Sequence, residues 1–249
     1  MTTSKEKPSF TLCSLCFETT QDYEQNLHTL ISLIQKSPEN AFIVAPEVSL
    51  TGFDYENIKP SCDFSAHAKA QLFKVLGSRV LIITMMELHQ EKLYNVASVL
   101  HQGKVIHTQA KHQLFKLGDE HKYFSPGALE DIVLFEINGL KIGLLICFEL
   151  RFKILHQRLE GADIIAVPSM WGKPRSAHFK TLTSALALIN QCYVVAADSA
   201  NEDMTALSGI INPSGEEIRN NGAQLLTQDF KEKEIKLARR YLDIGINHR

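Results

Sequence analysis

The chain has 249 residues, 45% of them hydrophobic and 22% charged, ordinary globular proportions in a length that allows a sizeable buried core. Its 26 basic and 28 acidic side chains leave a formal charge of -2, so no bulk field favours nucleic acid or an anionic membrane. No apolar run is long enough to span a bilayer, and the start MTTSKEKPSF lacks the apolar core of a signal peptide; a cytoplasmic location is expected.

In chain order, SFTLCSLCF reads as a strand, and Thr20 to Lys36 as a helix with Leu27, Leu30, Ile31 and Ile34 on one face. AFIVAP is a short buried strand. A polar, turn-rich segment from Thr51 to Asp63 precedes a helix from about Phe64 to Leu76, and RVLIITMME is the next strand. LYNVASVLHQGKVIHTQAKH reads as a hairpin turning at Gln102-Gly103. After a loop from Gln113 to Gly127, DIVLFEINGLKIGLLIC reads as a second hairpin turning at Asn138-Gly139. FELRFKILHQRLEG is expected to be a helix ending at Gly161. Then come the strand ADIIAVP, the helix RSAHFKTLTSALALIN, the strand QCYVVAAD and the strand–turn–strand SGIINPSGEEI. From Leu226 to Leu242 an extended stretch leads into a charged helix. The alternation of strands and helices argues for a mixed α/β sandwich. No Pro/Gly-rich linker, repeat or low-complexity tract divides it, so residues 1–249 are expected to form a single domain.

Five cysteines argue against a disulfide framework. Cys13 and Cys16 lie three apart on a strand, so their thiols point to opposite faces, and two core cysteines are expected rather than a metal site. GxSxG, P-loop, GxGxxG and HExxH motifs do not occur. His101, His107, His112 and His121 lack ligand-like spacing and are expected at the surface or in loops.

In three places a polar residue closes a buried strand: Glu47 after AFIVAP, Lys111 after VIHTQA, and Cys147 after IGLLI. Alone, each has an ordinary reading, as a solvated cap, a surface amine and a core thiol. Layered α/β folds gather ligands where strands end, and a carboxylate, an ammonium and a thiol brought to one edge can do nucleophilic chemistry.

The flanks decide between these readings. APEVSLTGF, KHQLF, GLLICFELRF, VPSMWGKPRSAHFKTL, INQCYVVAAD and SGIINPSGEEI resemble, in order, six blocks of the nitrilase superfamily of carbon–nitrogen hydrolases, covering about Thr11 to Ile218. The resemblance implies an α-β-β-α sandwich of two mixed sheets and a homodimer or higher homo-oligomer. It implies Cys147 as nucleophile, Glu47 as general base and acid, and Lys111 as oxyanion stabiliser. Glu120 in GDEHKYFSPG is the implied second acid, with Asp119 next door as the competing choice. The backbone N–H of Phe148 would share the oxyanion, and Arg151, Trp171 and Arg175 are candidate pocket residues. For Arg151 a structural ion pair is the competing reading. Lys111 beside Cys147 would lower the thiol pKa. No metal or organic cofactor is required; the partners are a small amide and water. The compact length, GDE before FSPG, and CFELRF look most like the ω-amidase branch, which acts on ω-amides of dicarboxylates such as 2-oxoglutaramate. The alternatives are hydrolysis of N-carbamoyl amines or amino acids, and a non-catalytic protein that has kept the fold.

Two departures stand out. Relatives commonly carry Arg-Ala-Ile-Glu-Asn-Gln where this chain has Leu186-Ala187-Leu188-Ile189-Asn190-Gln191. Loss of both charges together reads as a repacked core with Ile189 inside it. Lys153 follows Arg151-Phe152 where relatives often have Pro, so the first helical turn there is expected to differ.

Overall fold

The computed structural model describes residues 10–246; the MTTSKEKPS start lies outside the described residues. Strands β1 (Thr11–Leu15), β2 (Ala41–Val44), β3 (Val80–His89), β4 (Lys92–His101), β5 (Lys104–Ala110) and β12 (Leu225–Asp229) form one sheet, in the order β12-β1-β2-β3-β4-β5. Strands β6 (Phe135–Ile137), β7 (Leu140–Leu144), β8 (Ile164–Pro168), β9 (Tyr193–Ala197), β10 (Gly209–Ile211) and β11 (Glu217–Arg219) form the other, ordered β11-β10-β9-β8-β7-β6. Each sheet is parallel at its centre, β1-β2-β3 and β7-β8-β9, and antiparallel toward its edges. The α-β-β-α sandwich of two mixed sheets is therefore the observed architecture.

The central strands are apolar at every position because both their faces are covered. Leu12, Phe42, Val44, Val80 and Ile82 pack between the sheets with Ile142, Leu144, Ile164 and Ala166. Their alternate neighbours Cys13, Ile43, Leu81 and Ile83 pack outward against α1 (Tyr23–Lys36) and α2 (Ile58–Leu76). On α1, Leu27, Leu30 and Ile34 are buried and Ile31 is partly so. Each such buried side chain contributes about 1.5–3 kcal/mol. On the second sheet Gly143 lies under Leu159; a Cβ there would sit 3.0 Å from Leu159 Cδ1.

Several expectations need correction. Helix α2 starts at Ile58, six residues early, because Pro60 falls in its first turn, where a missing N–H costs nothing. Strands β3 and β4 form a further hairpin. Its turn residues Gln90 and Glu91 both take positive φ, 49° and 65°, without the glycine that would announce it. The turns Gln102-Gly103 and Asn138-Gly139 are as read. Leu129–Asp131 is a 3-10 turn, so the second hairpin begins only at Phe135. The segment after Cys147 is not one helix: a 3-10 turn over Cys147–Arg151 is followed, past an extended Phe152, by α4 (Lys153–Arg158). Lys153 opens α4, a position that also suits proline.

Of the four histidines only His121 is exposed. His101 is buried against the Arg79 carbonyl, His107 stacks on Phe135 with ring centroids 4.2 Å apart, and His112 Nδ1 meets the Gly127 carbonyl at 2.8 Å. His101 and His107 lie on β4 and β5, whose neighbours cover them, while His112 sits in the loop after β5 as expected. On α5 (Ser176–Asn190), Leu186 is buried but Ile189 is 61% exposed. Repacking therefore holds for Leu186 alone, since residues three apart on a helix diverge by about 60°.

Candidate active site

Glu47, Lys111 and Cys147 follow the C-terminal ends of β2, β5 and β7. Because β5 runs the same way as β2 through two antiparallel pairings, both end on one edge of the first sheet. The second sheet meets them there: Glu47 N–H donates to the Ser169 carbonyl just past β8, at 3.0 Å.

Lys111 is fully buried and its ammonium bridges two carboxylates. Nζ donates to Glu47 Oε1 and to Glu120 Oε1, both at 2.7 Å. Glu120 opens α3 (Glu120–Tyr123), is buried, and holds its other oxygen on the Phe115 N–H at 2.9 Å. Asp119 turns away to pair with Lys122 at the surface. Gly127 keeps this loop close: a Cβ there would lie 2.2 Å from the Ala110 carbonyl oxygen, beside Lys111. Asn95, from β4, was not picked out in the sequence. Its Nδ2 donates to Glu47 Oε1 at 2.8 Å, and its backbone carbonyl accepts from Lys111 N–H at 2.8 Å. A lone Asn in the apolar run VASVL's strand was the available signal. Glu47 Oε2 is buried and makes no geometrically sound hydrogen bond among the described residues, while the Glu47 carboxylate lies within hydrogen-bonding reach of the Cys147 thiol.

Cys147 is 7% exposed and has φ +52°. A left-handed non-glycine residue costs about 1–3 kcal/mol and persists only where its surroundings hold it. Val48, next to Glu47, has φ +42° and donates its N–H to Thr84 Oγ1 at 2.6 Å. Glu149, also missed, holds the cysteine turn. Fully buried, it accepts from Ile146 N–H at 2.7 Å through one oxygen, and from His112 N–H at 2.6 Å and Gln113 N–H at 3.4 Å through the other. It thus ties the residue before Cys147 to the residues after Lys111. Burial raises its pKa to about 7 against the pull of those N–H groups.

The charges explain the resting protonation. Burial opposes the Lys111 charge, but Glu47, Cys147 and Glu120 outweigh it and its pKa is raised. Burial pushes the Cys147 thiol well up and Glu47 adds to this, while Lys111 lowers it. The expected effect of Lys111 is present but is not the larger one, because the burial of the thiol outweighs it. The net shift is upward, and the resting sulfur is a thiol. Burial likewise raises Glu120, with Lys111 pulling the other way.

Cys147 opens on a narrow cleft walled by Phe115, Phe148, Met170, Trp171, Arg151 and Arg175, with about 20 Å3 free, room for about one water. Arg151 stacks on the Trp171 ring at 4.8 Å and Arg175 on the Phe115 ring at 5.2 Å. The Trp171 wall is anchored by Asp198, a fourth buried acid beside Glu47, Glu120 and Glu149, which accepts from Trp171 N–H at 2.8 Å and from the Thr205 hydroxyl. Burial raises Asp198 to about 7. A larger groove near Tyr55 and Asn201 shares Met170 with this cleft but does not reach Cys147. No group of three or more metal-ligating side chains occurs among the described residues. No described helix is long and apolar enough to cross a membrane.

Two facing mixed sheets with a thiol, two acids and an ammonium closed into one dry edge define a layered α/β hydrolase architecture. A family profile described as Carbon-nitrogen hydrolase matches residues 11–227, and the chain belongs to that family. It is similar to a 2-oxoglutaramate amidase of Bacillus subtilis (strain 168), 28% identical over 212 residues, 80% of this chain and 81% of that one. It is also similar to a deaminated glutathione amidase of Escherichia coli O157:H7, 30% identical over 218 residues, 80% and 81% of the two chains. Among solved structures, a carbon–nitrogen hydrolase from Helicobacter pylori G27 superposes with TM-score 0.84 at 17% identity, covering 97% of each chain.

Proposed function

We propose that the protein is a cysteine-dependent amidase of the ω-amidase kind, cleaving a small linear amide to a carboxylate and ammonia. The observation that carries the reading is the buried bridge from Lys111 to Glu47 and Glu120 beside the strained Cys147. As substrate enters, Glu47 takes the thiol proton and Sγ bonds to the amide carbon. Lys111 and the Phe148 N–H receive the oxyanion. Removing one such donor typically costs about 100- to 1000-fold. The C–N bond breaks as Glu47 returns the proton to nitrogen, releasing ammonia and leaving a thioester. Glu47 then deprotonates water, which attacks the thioester, and the C–S bond breaks to give the acid and the thiol. Glu120 fixes Lys111 between two anions. Every proton is returned within the cycle, so no metal or cofactor is called for.

The amidase names of the relatives support this reading over the carbamoyl one, and the reading includes a cytoplasmic homo-oligomer of one-domain chains. Ammonia release from 2-oxoglutaramate and succinamate, set against N-carbamoyl amino acids, tests it. Turnover should favour the amides and vanish in Cys147→Ala. Comparable turnover of the carbamoyl set, or activity surviving in Cys147→Ala, would overturn it.

A further inference from the structure

The two oxygens of the Glu47 carboxylate have different surroundings. Oε1 takes two donors, the Lys111 ammonium at 2.7 Å and the Asn95 amide at 2.8 Å. Oε2 takes none of sound geometry among the described residues, and the carboxylate stands within hydrogen-bonding reach of the Cys147 thiol. Asn95 is 1% exposed and lies inside the ten-residue strand β4, an environment in which asparagine is depleted. It shares a face with Ala97 and Val99, which pack between the sheets. Its backbone carbonyl accepts from Lys111 N–H at 2.8 Å. One residue therefore grips Glu47 through its side chain and Lys111 through its backbone. An amide can face an anion only through its NH2 end, so the contact is a donated one and favours the charged carboxylate.

We infer that Asn95 is a positioning residue for the base: its amide fixes the plane of the Glu47 carboxylate, so that Oε1 stays on the ammonium and Oε2 is presented to the thiol proton, and it keeps that base ionised. The inference rests on the amidase reading. Lys111 alone would not fix the plane, because an ammonium is a compact charge with rotatable donors. Two donors from two strands do. Asn95 is carried by β4 and Lys111 follows β5, and the ladder that pairs their neighbours Val96 and Ala110 sets the distance between them. The titratable groups around Glu47 are Lys111, Glu120 on α3, Cys147 after β7, and Tyr55 in the segment between β2 and α2. Asn95 is a donor that does not titrate, so it holds Glu47 alike at every pH.

Asn95→Leu tests this. It keeps the branching of the side chain and the backbone carbonyl that takes the Lys111 N–H, and removes only the amide. Steady-state kcat and KM for succinamate are measured from about pH 5 to about pH 9 for the unsubstituted enzyme, Asn95→Leu and Asn95→Asp, with melting temperatures alongside. In Asn95→Leu, kcat should fall about 10- to 100-fold with KM within about 3-fold. The acid limb of kcat/KM, which reports the essential base of the free enzyme, should move up by about one to two pH units, the worth of one hydrogen bond to a charged acceptor. The sign follows because a lost donor disfavours the carboxylate, so a higher pH is needed to ionise it. Asn95→Asp sets a second carboxyl against Oε1 and should move the limb at least as far, since two carboxyls in contact share a proton. An acid limb unmoved in either folded variant overturns the inference, and so does a rise in KM with kcat intact. A purely structural asparagine gives the first of these results, a lower melting temperature with the limb in place. Should Asn95→Leu not fold, the limb of Asn95→Asp decides. No ammonia from any amide with the unsubstituted enzyme removes the amidase reading and this inference with it, whereas turnover with an unmoved limb removes the inference alone.

Discussion

Lys111 Nζ and Glu47 Oε1 are 2.7 Å apart and neither side chain reaches solvent to any useful extent. Losing one partner strands the other as a buried charge, which costs about 3–5 kcal/mol. Lys111→Met should therefore lower stability by that amount, and Glu47→Gln should offset part of the loss when combined with it. A double-mutant cycle from urea denaturation measures the coupling; strict additivity would contradict the bridge.

The same charges set the thiol. Lys111, Glu47 and Glu120 sum to one negative charge around Cys147. Glu47→Gln neutralises that sum and frees the ammonium, so the Cys147 pKa should fall while amide turnover is lost. The midpoint of iodoacetamide alkylation against pH should move down in Glu47→Gln. Cys62, half-buried with its thiol pushed up to about 11 by burial, is the internal reference and should not move.

Glu120 and Asp119 are adjacent in sequence and opposite in role. Glu120→Gln removes one anion from Lys111 and should reduce kcat by about 10- to 1000-fold. Asp119→Asn loses only an exposed pair with Lys122 and should change kcat by less than about 2-fold, with stability within about 0.5 kcal/mol. Equal effects would place the wrong acid in the site.

Asp198 predicts a pH dependence. Its folded pKa of about 7 lies above its unfolded value of about 3.9. The folded state therefore binds the extra proton, and stability present below about pH 4 is lost as pH rises through 7. The loss is on the order of 4 kcal/mol. Glu149 acts in the same direction, while His107 and His156, held low by burial, act oppositely below about pH 6.5. Subtraction isolates the group: melting temperature from pH 4 to pH 8 should fall less steeply in Asp198→Asn than in the unsubstituted protein.

Ile189→Glu, which the sequence alone would place in the core, should leave urea-denaturation stability within about 0.5 kcal/mol, since Ile189 is exposed. Leu186→Arg, three residues earlier and buried, should cost several times more. A collapse of stability in Ile189→Glu would mean the side chain is covered.

Much of this molecule was legible along the chain. Runs such as AFIV and IIAV are apolar without alternation, which marks strands covered on both faces. Asn138-Gly139 announces its turn, because both residues accept positive φ. The hairpin at Gln90-Glu91 was hidden because its positive φ values are imposed by the β3–β4 ladder on residues with no preference for them. Asn95 and Glu149 were hidden for a related reason. Each is an unremarkable polar residue until strands 37 to 48 positions away bring it a partner.

The sequence by itself determined most of the strands and helices, though not the Gln90-Glu91 hairpin or the break after Cys147, and which three strand ends carry an acid, an amine and a thiol, because local periodicity and turn chemistry depend on near neighbours. Only the tertiary structure decided how those groups share their charge. Electrostatics depends on distance in space and on exclusion of water, and both are set when the two sheets close on one another. That closure gives Lys111 to two carboxylates, buries the Cys147 thiol so that its pKa rises, and lays Arg151 against Trp171 and His178.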